Sequence, residues 1–186
     1  MSHENILELF ERLTLLEKAN ERAIAQAHSL QAVQLVALHY LARCNRFSDT
    51  PAAVTEYLSA TKGTVSQSLI QLEKKGMVTK VQDPEDKRVS HLKLTSLGRS
   101  LVKQTNQLAL LDQALGGLDC EEKAALESLL RKTLIELQNT HKHAMFGPCS
   151  QCKHLQKSKG GHLCGLTKEP LYESDLVQIC REYTHP

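Results

Sequence analysis

The chain has 186 residues, 41% of them apolar, and Lys and Arg exceed Asp and Glu by two. That length supports one medium core, or a compact domain with an appended module. No stretch reaches the run of about 20 apolar residues that crosses a bilayer, and Met1-Ser2-His3-Glu4-Asn5 lacks the basic flank of a secretory signal, so a cytoplasmic location without membrane contact is expected.

Net charge alone says nothing about nucleic acid, but its distribution does. Thr61 to Lys103 carries nine Lys/Arg against Glu73, Asp83, Glu85 and Asp86, a local +5 that leaves the rest at −3. Such polarity is the footprint of one face meeting phosphate.

Ile6, Phe10, Leu13 and Leu16 recur at helical spacing and predict a long first helix, with a break near His28-Ser29. Ser29 is expected to cap a second helix striped by Val33, Val36, Ala37, Tyr40 and Leu41, with Cys44 continuing the stripe as a small buried hydrophobe. Thr50-Pro51 reads as an N-cap followed by proline at the first helical position, so a short third helix covers about Pro51 to Leu58. The tight Ser59-Ala60 turn then leads to Thr61, which opens a fourth helix, the spacing of a helix-turn-helix. Its Val65, Leu69 and Leu72 face inward. Gly63, Ser66, Gln67, Ile70, Gln71 and Lys74 lie around the opposite face, offering hydroxyls, amides and an ammonium to a major groove.

Gly76 suits a left-handed helix stop, after which Met77 to Gln82 and Val89 to Leu94 read as paired strands. Between them Asp83-Pro84 starts a type I turn and leaves Lys87 and Arg88 near the hairpin end, where a basic tip can reach a minor groove.

These residues resemble the MarR family of winged-helix transcription regulators. The likeness rests on Thr61-Lys62-Gly63-Thr64-Val65-Ser66-Gln67, on Leu72-Glu73-Lys74-Lys75-Gly76-Met77-Val78, on Asp83, Asp86 and Arg88 in the wing pattern D-x-x-D-x-R, and on Leu94-Thr95-Ser96-Leu97-Gly98 as L-T-x-x-G. It extends over roughly Ile6 to His143. The resemblance implies a homodimer with interlocked N- and C-terminal helices and two wings on a pseudo-palindromic operator duplex. It further implies that Arg88 contacts the minor groove, that Asp86 orients it, and that Thr61, Thr64, Ser66 and Gln67 make major-groove and phosphate contacts. Gln67 stands where many relatives have arginine, and Ser68 and Ile70 replace commoner residues, so the operator sequence is not implied. The expected DNA-contacting set is Thr61, Lys62, Thr64, Ser66, Gln67, Gln71, Lys87 and Arg88, with Asp83 and Asp86 orienting the wing.

Leu97, Leu101, Leu108 and Leu111 stripe a fifth helix expected to end by Gly116-Gly117. Asp119 with Glu122 forms a capping-box-like start to a sixth, striped by Leu126, Leu130, Leu134 and Leu137. With the first helix these faces exceed what one winged helix can cover, which predicts a twofold dimer with recognition helices roughly 34 Å apart.

Composition changes past His143, and Gly147-Pro148 is expected to break the helix. The tail Cys149-x2-Cys152-x11-Cys164-x15-Cys180 is too poor in leucine for a core of its own, but four thiolates on one metal centre could fold it. Zinc commonly draws on two close pairs, whereas only Cys149 and Cys152 are paired here; a cubane cluster suits ligands at longer intervals. The segments around Cys149-Ser150-Gln151-Cys152, Gly161-His162-Leu163-Cys164-Gly165-Leu166 and Cys180-Arg181-Glu182-Tyr183 also resemble the cluster loops of high-potential iron–sulfur proteins. An iron–sulfur cluster, four-iron in preference, is therefore expected, with zinc as the alternative. His154, His162, His141 or His143 could replace a cysteine, although solvated or supporting roles are the default. Lys153, Lys157, Lys159 and Arg181 would offset the site's negative charge. Cys120 follows Asp119 as an ordinary first-turn residue that a helix N-terminus could activate.

Nothing near Cys44 or Cys120 offers the Cys-His or Ser-His arrangement that catalysis demands, and there is no glycine-rich phosphate loop, so enzyme activity is not expected. The fold expected is mainly α with a small β-hairpin wing: a winged helix-turn-helix with flanking dimerisation helices over 1–145, and a cysteine-rich metal-binding tail over 146–186. The function expected is a dimeric DNA-binding transcription regulator whose tail senses redox state or a gas. The alternative is structural zinc in the tail and a small aromatic effector between the dimer helices and the winged helix.

Overall fold

A computed structural model describes residues 3–106, 108–141, 144–158 and 160–186. His143 and Lys159, named above, lie outside the described residues, as does the His141 side chain.

Helix α1 spans His3–Ala27 and presents Ile6, Leu9, Phe10, Leu13 and Leu16 outward; Ala25, near its end, is buried. The chain then turns through Ser29, whose φ of 55° is left-handed. The expected Ser29 cap is thereby corrected. The Ser29 carbonyl accepts from Lys75 Nζ, and α2 (Ala32–Arg43) is capped by Gln31, whose N–H donates to Gln34 Oε1 at 3.0 Å. A residue in the left-handed region cannot serve as an N-cap, which needs extended backbone.

Helix α2 is the hub. Leu35, Leu38 and Tyr40 are completely buried, so apolar residues wrap the helix beyond the expected stripe. Around it pack α1, α3 (Pro51–Tyr57), α4 (Lys62–Lys74), the strand pair β1 (Val78–Gln82) and β2 (Ser90–Leu94), and α5 (Ser96–Gln104). Thr50 Oγ1 caps α3 by accepting from Ala53 N at 3.2 Å, and Thr61 Oγ1 caps α4 by accepting from Thr64 N at 3.2 Å. Val65, Leu69 and Leu72 anchor α4 on this core, and Gly76 stops the helix with φ of 68°.

The antiparallel register pairs Val78 with Leu94 and Gln82 with Ser90, which turns Val78, Leu92 and Leu94 inward. At the hairpin base a Cβ on Gly98 would lie 2.2 Å from the Met77 carbonyl oxygen, so only glycine lets α5 dock there.

The expected fifth helix is two. Helix α5 stops at Gln104, and α6 covers Ala109–Leu115. The leucine period runs across the break, but Thr105 is pulled into the core to bond His39 Nε2 at 2.9 Å, and its backbone is extended. Helix α7 (Cys120–His141) starts with the expected reciprocal cap: Glu122 N donates to Asp119 Oδ1 and Asp119 N to Glu122 Oε2, both at 2.9 Å.

Gly147-Pro148 does not break that helix, because Ala144 to Phe146 already lie outside any helix. These residues form strand β3, paired antiparallel with β7 (Ile179–Cys180). Between them the tail folds as a 3-10 turn (Cys149–Gln151), strands β4 (Leu155–Ser158), β5 (Gly161–Cys164) and β6 (Pro170–Leu171) in one small sheet, and helix α8 (Glu173–Val177). Phe146 packs edge-on to Tyr57 and Tyr40, at centroid distances of 5.1 and 6.1 Å, and fastens the start of the tail to the core.

Candidate nucleic-acid interface and four-cysteine site

Burial sorts the residues of α4 as their spacing predicts. Thr61, Lys62, Thr64, Ser66 and Gln67 are exposed and Gln71 is half-buried, all on the side away from the core. Thr61 and Thr64 are partly engaged with each other, their hydroxyls 2.9 Å apart. Ser68 turns inward, its hydroxyl donating to the Thr64 carbonyl at 2.8 Å.

At the wing tip Asp83 Oδ1 accepts from Glu85 N and Asp86 N at 2.8 and 2.7 Å, which closes the turn. Asp86 Oδ1 and Oδ2 hold the Arg88 guanidinium at 2.8 to 3.3 Å, and Arg88 projects with its side chain 90% exposed. Those bonds depress both carboxyls: the Asp86 and Glu85 amides with His91 act on Asp83, and Arg88 acts on Asp86. Lys87 is exposed beside Arg88, and its carbonyl accepts from Gln82 Nε2. The structure thus brings the expected helix and wing residues onto exposed, adjoining elements.

Sequence reasoning missed the wing's anchor. His91 on β2 bridges two carboxylates, with Nδ1 on Asp49 and Nε2 on Asp83 at 3.0 Å; Lys93 also meets Asp49. Burial would lower the His91 pKa, but Asp49 and Asp83 outweigh it and the pKa is raised. No periodicity announces such a triad, because its members lie far apart in the chain.

All four tail cysteines line one small cavity of about 20 Å³, together with Phe47, His154, Leu155, Thr167, Leu171 and Glu182. Cys149 comes from the turn after β3, Cys152 from the end of that turn, Cys164 from the end of β5 and Cys180 from β7. Among the described residues, no group of three or more His, Cys, Asp or Glu side chains is arranged to hold a metal ion.

N–H groups are nevertheless aimed at the sulfurs. Asn45 Nδ2 donates to Cys149 Sγ and Thr184 N to Cys152 Sγ, both at 3.5 Å. A hydrogen bond with Cys149 lowers the Cys180 pKa, opposed by burial and helped by Asn45, the Glu182 amide and the Ser48 hydroxyl. The same bond, with burial, raises Cys149. Such donors stabilise sulfur that carries negative charge, the form a metal requires.

His154 stays close, its Nε2 3.4 Å from Thr184 Oγ1, whereas His162 faces Glu173 at 3.8 Å. Lys153 and Lys157 are exposed, and Arg181 is bound to Glu56. Cys44 is buried, with its thiol pushed up to about 12 by burial first and then by Asp49; Cys120 is exposed.

The comparisons with known proteins match this geometry. The MarR family model matches residues 28–89, from the end of α1 to the wing tip. These residues form a winged helix similar to those of MarR-family proteins. The multiple antibiotic resistance protein MarR of Escherichia coli (strain K12) is 35% identical over 88 residues, 46% of this chain and 61% of its own length. The chain therefore spans about three-fifths of that relative. Among solved structures, Streptococcus pneumoniae FabT in complex with DNA is 26% identical, with a TM-score of 0.57 over 74% of this chain and 95% of its own. The S. aureus MepR–DNA complex is 25% identical, with a TM-score of 0.59 over 70% of this chain and 96% of its own. Each leaves at least a quarter of this chain without a counterpart. Among the described residues, no helix is long and apolar enough to cross a membrane.

Proposed function

We propose that this chain is a homodimeric, sequence-specific DNA-binding transcription regulator of the MarR type. One observation carries the reading: a capped, polar-faced helix and an Arg88-tipped wing stand together on a winged helix similar to proteins solved on DNA. In this reading Thr61, Lys62, Thr64, Ser66, Gln67 and Gln71 meet the major groove and its phosphates. Lys87 and Arg88 meet the adjacent minor groove, with Asp83 shaping the wing turn and Asp86 holding Arg88 in place. The exposed leucines of α1, α6 and α7 supply the dimer contact. In vitro selection of duplexes on the purified protein should enrich one sequence with twofold character. A protein that enriches none, whether its thiol site is filled or stripped, would overturn the reading.

We infer further that Cys149, Cys152, Cys164 and Cys180 hold an iron–sulfur cluster and that operator binding follows the state of this site. What supports this is convergence on one cavity from four separate points of the tail, with N–H donors directed at the sulfurs. Such donors and a wall of apolar and aromatic side chains are the surroundings that tune clusters. When bound, a cluster supplies a one-electron couple and irons that small oxidants or gases can attack. A single zinc ion is the second reading, since four thiolates lining one cavity are also an ordinary zinc ligand set. With zinc would go a small aromatic effector. An open apolar cavity of about 570 Å³ beside Tyr57, Leu134, Leu137 and Phe146 suits one. Anaerobic purification followed by a visible spectrum and iron, sulfide and zinc analysis separates the two. A brown protein that Cys164→Ser bleaches is expected, and a colourless one with stoichiometric zinc would end the cluster reading.

A further inference from the structure

The tail meets the winged helix through its cysteine-bearing segments, at the 44–50 connector between α2 and α3. Cys44 and Ile179 form a parallel bridge in which Asn45 N donates to the Ile179 carbonyl at 2.9 Å. Asn45 is 1% exposed. Its Nδ2 donates to Cys149 Sγ at 3.5 Å, and its Oδ1 accepts from Phe47 N at 3.2 Å. Ser48, fully buried, accepts from Arg181 N at 2.8 Å through its hydroxyl, and its carbonyl accepts from the Tyr40 hydroxyl at 2.8 Å. Next to Cys180, Arg181 grips Glu56 on α3 with two bonds of 2.6 Å. Arg181 also lines a groove with Lys62 and Ser66 of α4, two residues of the DNA-facing set.

Every link in this chain is short, and the part facing the sulfurs is buried. A buried amide that donates to sulfur keeps its partner only while that sulfur stays in place, and an unpaired buried donor is costly. Movement of Cys149 or Cys180 must therefore be taken up by the connector or break its bonds. Because the connector leads directly into the Thr50 cap of α3, displacement there re-aims the first helix of the helix-turn-helix.

We propose that Asn45, with Ser48 and the Arg181–Glu56 pair, is the element that transmits the state of the four-cysteine site to the DNA-binding helices, and that Asn45 is a positioning residue of that site donated by the winged helix. This rests on the reading that the four cysteines hold a metal group that governs DNA binding. Neither a separately docked tail nor a purely structural one requires a winged-helix side chain on a ligand sulfur.

The test compares full-length wild type, Asn45→Ala and Glu56→Gln. Each is stripped with a chelator and refilled either with ferric iron, sulfide and excess dithiol reductant under nitrogen or with zinc. DNA affinity is read by anisotropy on a selected duplex, and the sulfur-to-metal absorption of the filled form is recorded. Wild-type affinity should differ between filled and stripped forms by roughly 5- to 150-fold, the usual span of site coupling.

Glu56→Gln lies on the surface away from the sulfurs. It should keep metal content and spectrum while the filled-to-stripped ratio falls to within about threefold of unity. Asn45→Ala should shift the absorption band as well as collapse the ratio. Equal ratios in wild type and Glu56→Gln, with wild-type coupling intact, would overturn the proposal and leave the function reading standing. An unshifted band in Asn45→Ala would remove the positioning role. A wild type that fills but shows no coupling, or fills with nothing, instead overturns the underlying reading.

Discussion

Arg88→Ala tests the wing most directly. Among the described residues Asp86 alone holds the guanidinium, so removing it leaves the fold untouched while deleting the group aimed at the groove. A groove-inserted arginine commonly discriminates by an amount that corresponds to roughly 5- to 150-fold in Kd, and losing one cationic contact lowers the salt slope by about 1. Asp86→Ala perturbs the same contact differently, because the charge stays and only its holder goes. Ordering a free arginine on binding costs a factor of roughly 2 to 12. Against this, removal of a carboxylate near phosphate favours binding at low salt and is screened beyond about 10 Å at 0.1 M. The Arg88→Ala loss should therefore shrink as salt rises, whereas the Asp86→Ala loss should grow. Fluorescence anisotropy on a selected duplex, read across about 50 to 200 mM salt, checks both trends. An Arg88→Ala protein within twofold of wild type throughout would refute a wing that enters the groove.

Three further outcomes are expected. Thr61→Ala removes the N-cap of α4 and should lower stability by about 0.5–2 kcal/mol, seen as a lower urea midpoint at unchanged slope; an unshifted midpoint would deny the cap any energetic role. His91 has a raised folded pKa, so its contribution is fully present below the ordinary value of 6.5 and is lost as pH rises through the folded value. Wild type should accordingly lose its thermal advantage over His91→Gln in a window opening just above pH 6.5, and parallel curves would contradict a carboxylate-clamped imidazole. Leu134→Glu puts a charge on the apolar face of α7 and should convert the dimer to monomer in analytical ultracentrifugation; a dimer of unchanged mass would exclude that face from the interface.

What could be read from residues alone was local. Thr50-Pro51, Thr61, Gly76 and the Asp119–Glu122 pair announce helix ends because a cap is satisfied within three or four residues of itself. The Arg88–Asp86 clasp is equally local. The failures have a distant partner in common. Thr105 ends α5 by bonding His39, which is 66 positions away, while the leucine spacing continues undisturbed. Asn45-Arg46-Phe47-Ser48-Asp49 has the composition of a wet turn, yet Asn45, Ser48 and Asp49 are buried because the tail and the hairpin cover them. Polar residues reveal a buried role only once the groups that satisfy them are in place. The cysteine spacing pointed to a common centre, but not to the winged helix lending an amide to it.

The tail also touches the helix expected to carry the dimer. Arg131 on α7 donates to Gln151 Oε1 at 2.7 Å and to Glu127 Oε1 at 2.7 Å, so the turn between Cys149 and Cys152 is tied to α7 as Asn45 and Arg181 tie the same module to the winged helix. In a twofold dimer the distance between recognition helices depends on how each winged helix sits against its α7. Fitting successive major grooves tolerates little departure from roughly 34 Å. A module bonded to both sides of that joint needs only a small rearrangement among its four sulfurs to bias the angle. Leu134 and Leu137 of α7 share an open cavity with Gly147, Pro148 and Ile179 of the tail, yet both stay half exposed, as do the leucines of α1 and α6. On the proposed reading, a dimer built on these faces would leave the four-cysteine module outside the seam, so that its rearrangement would turn the winged helices without separating the subunits.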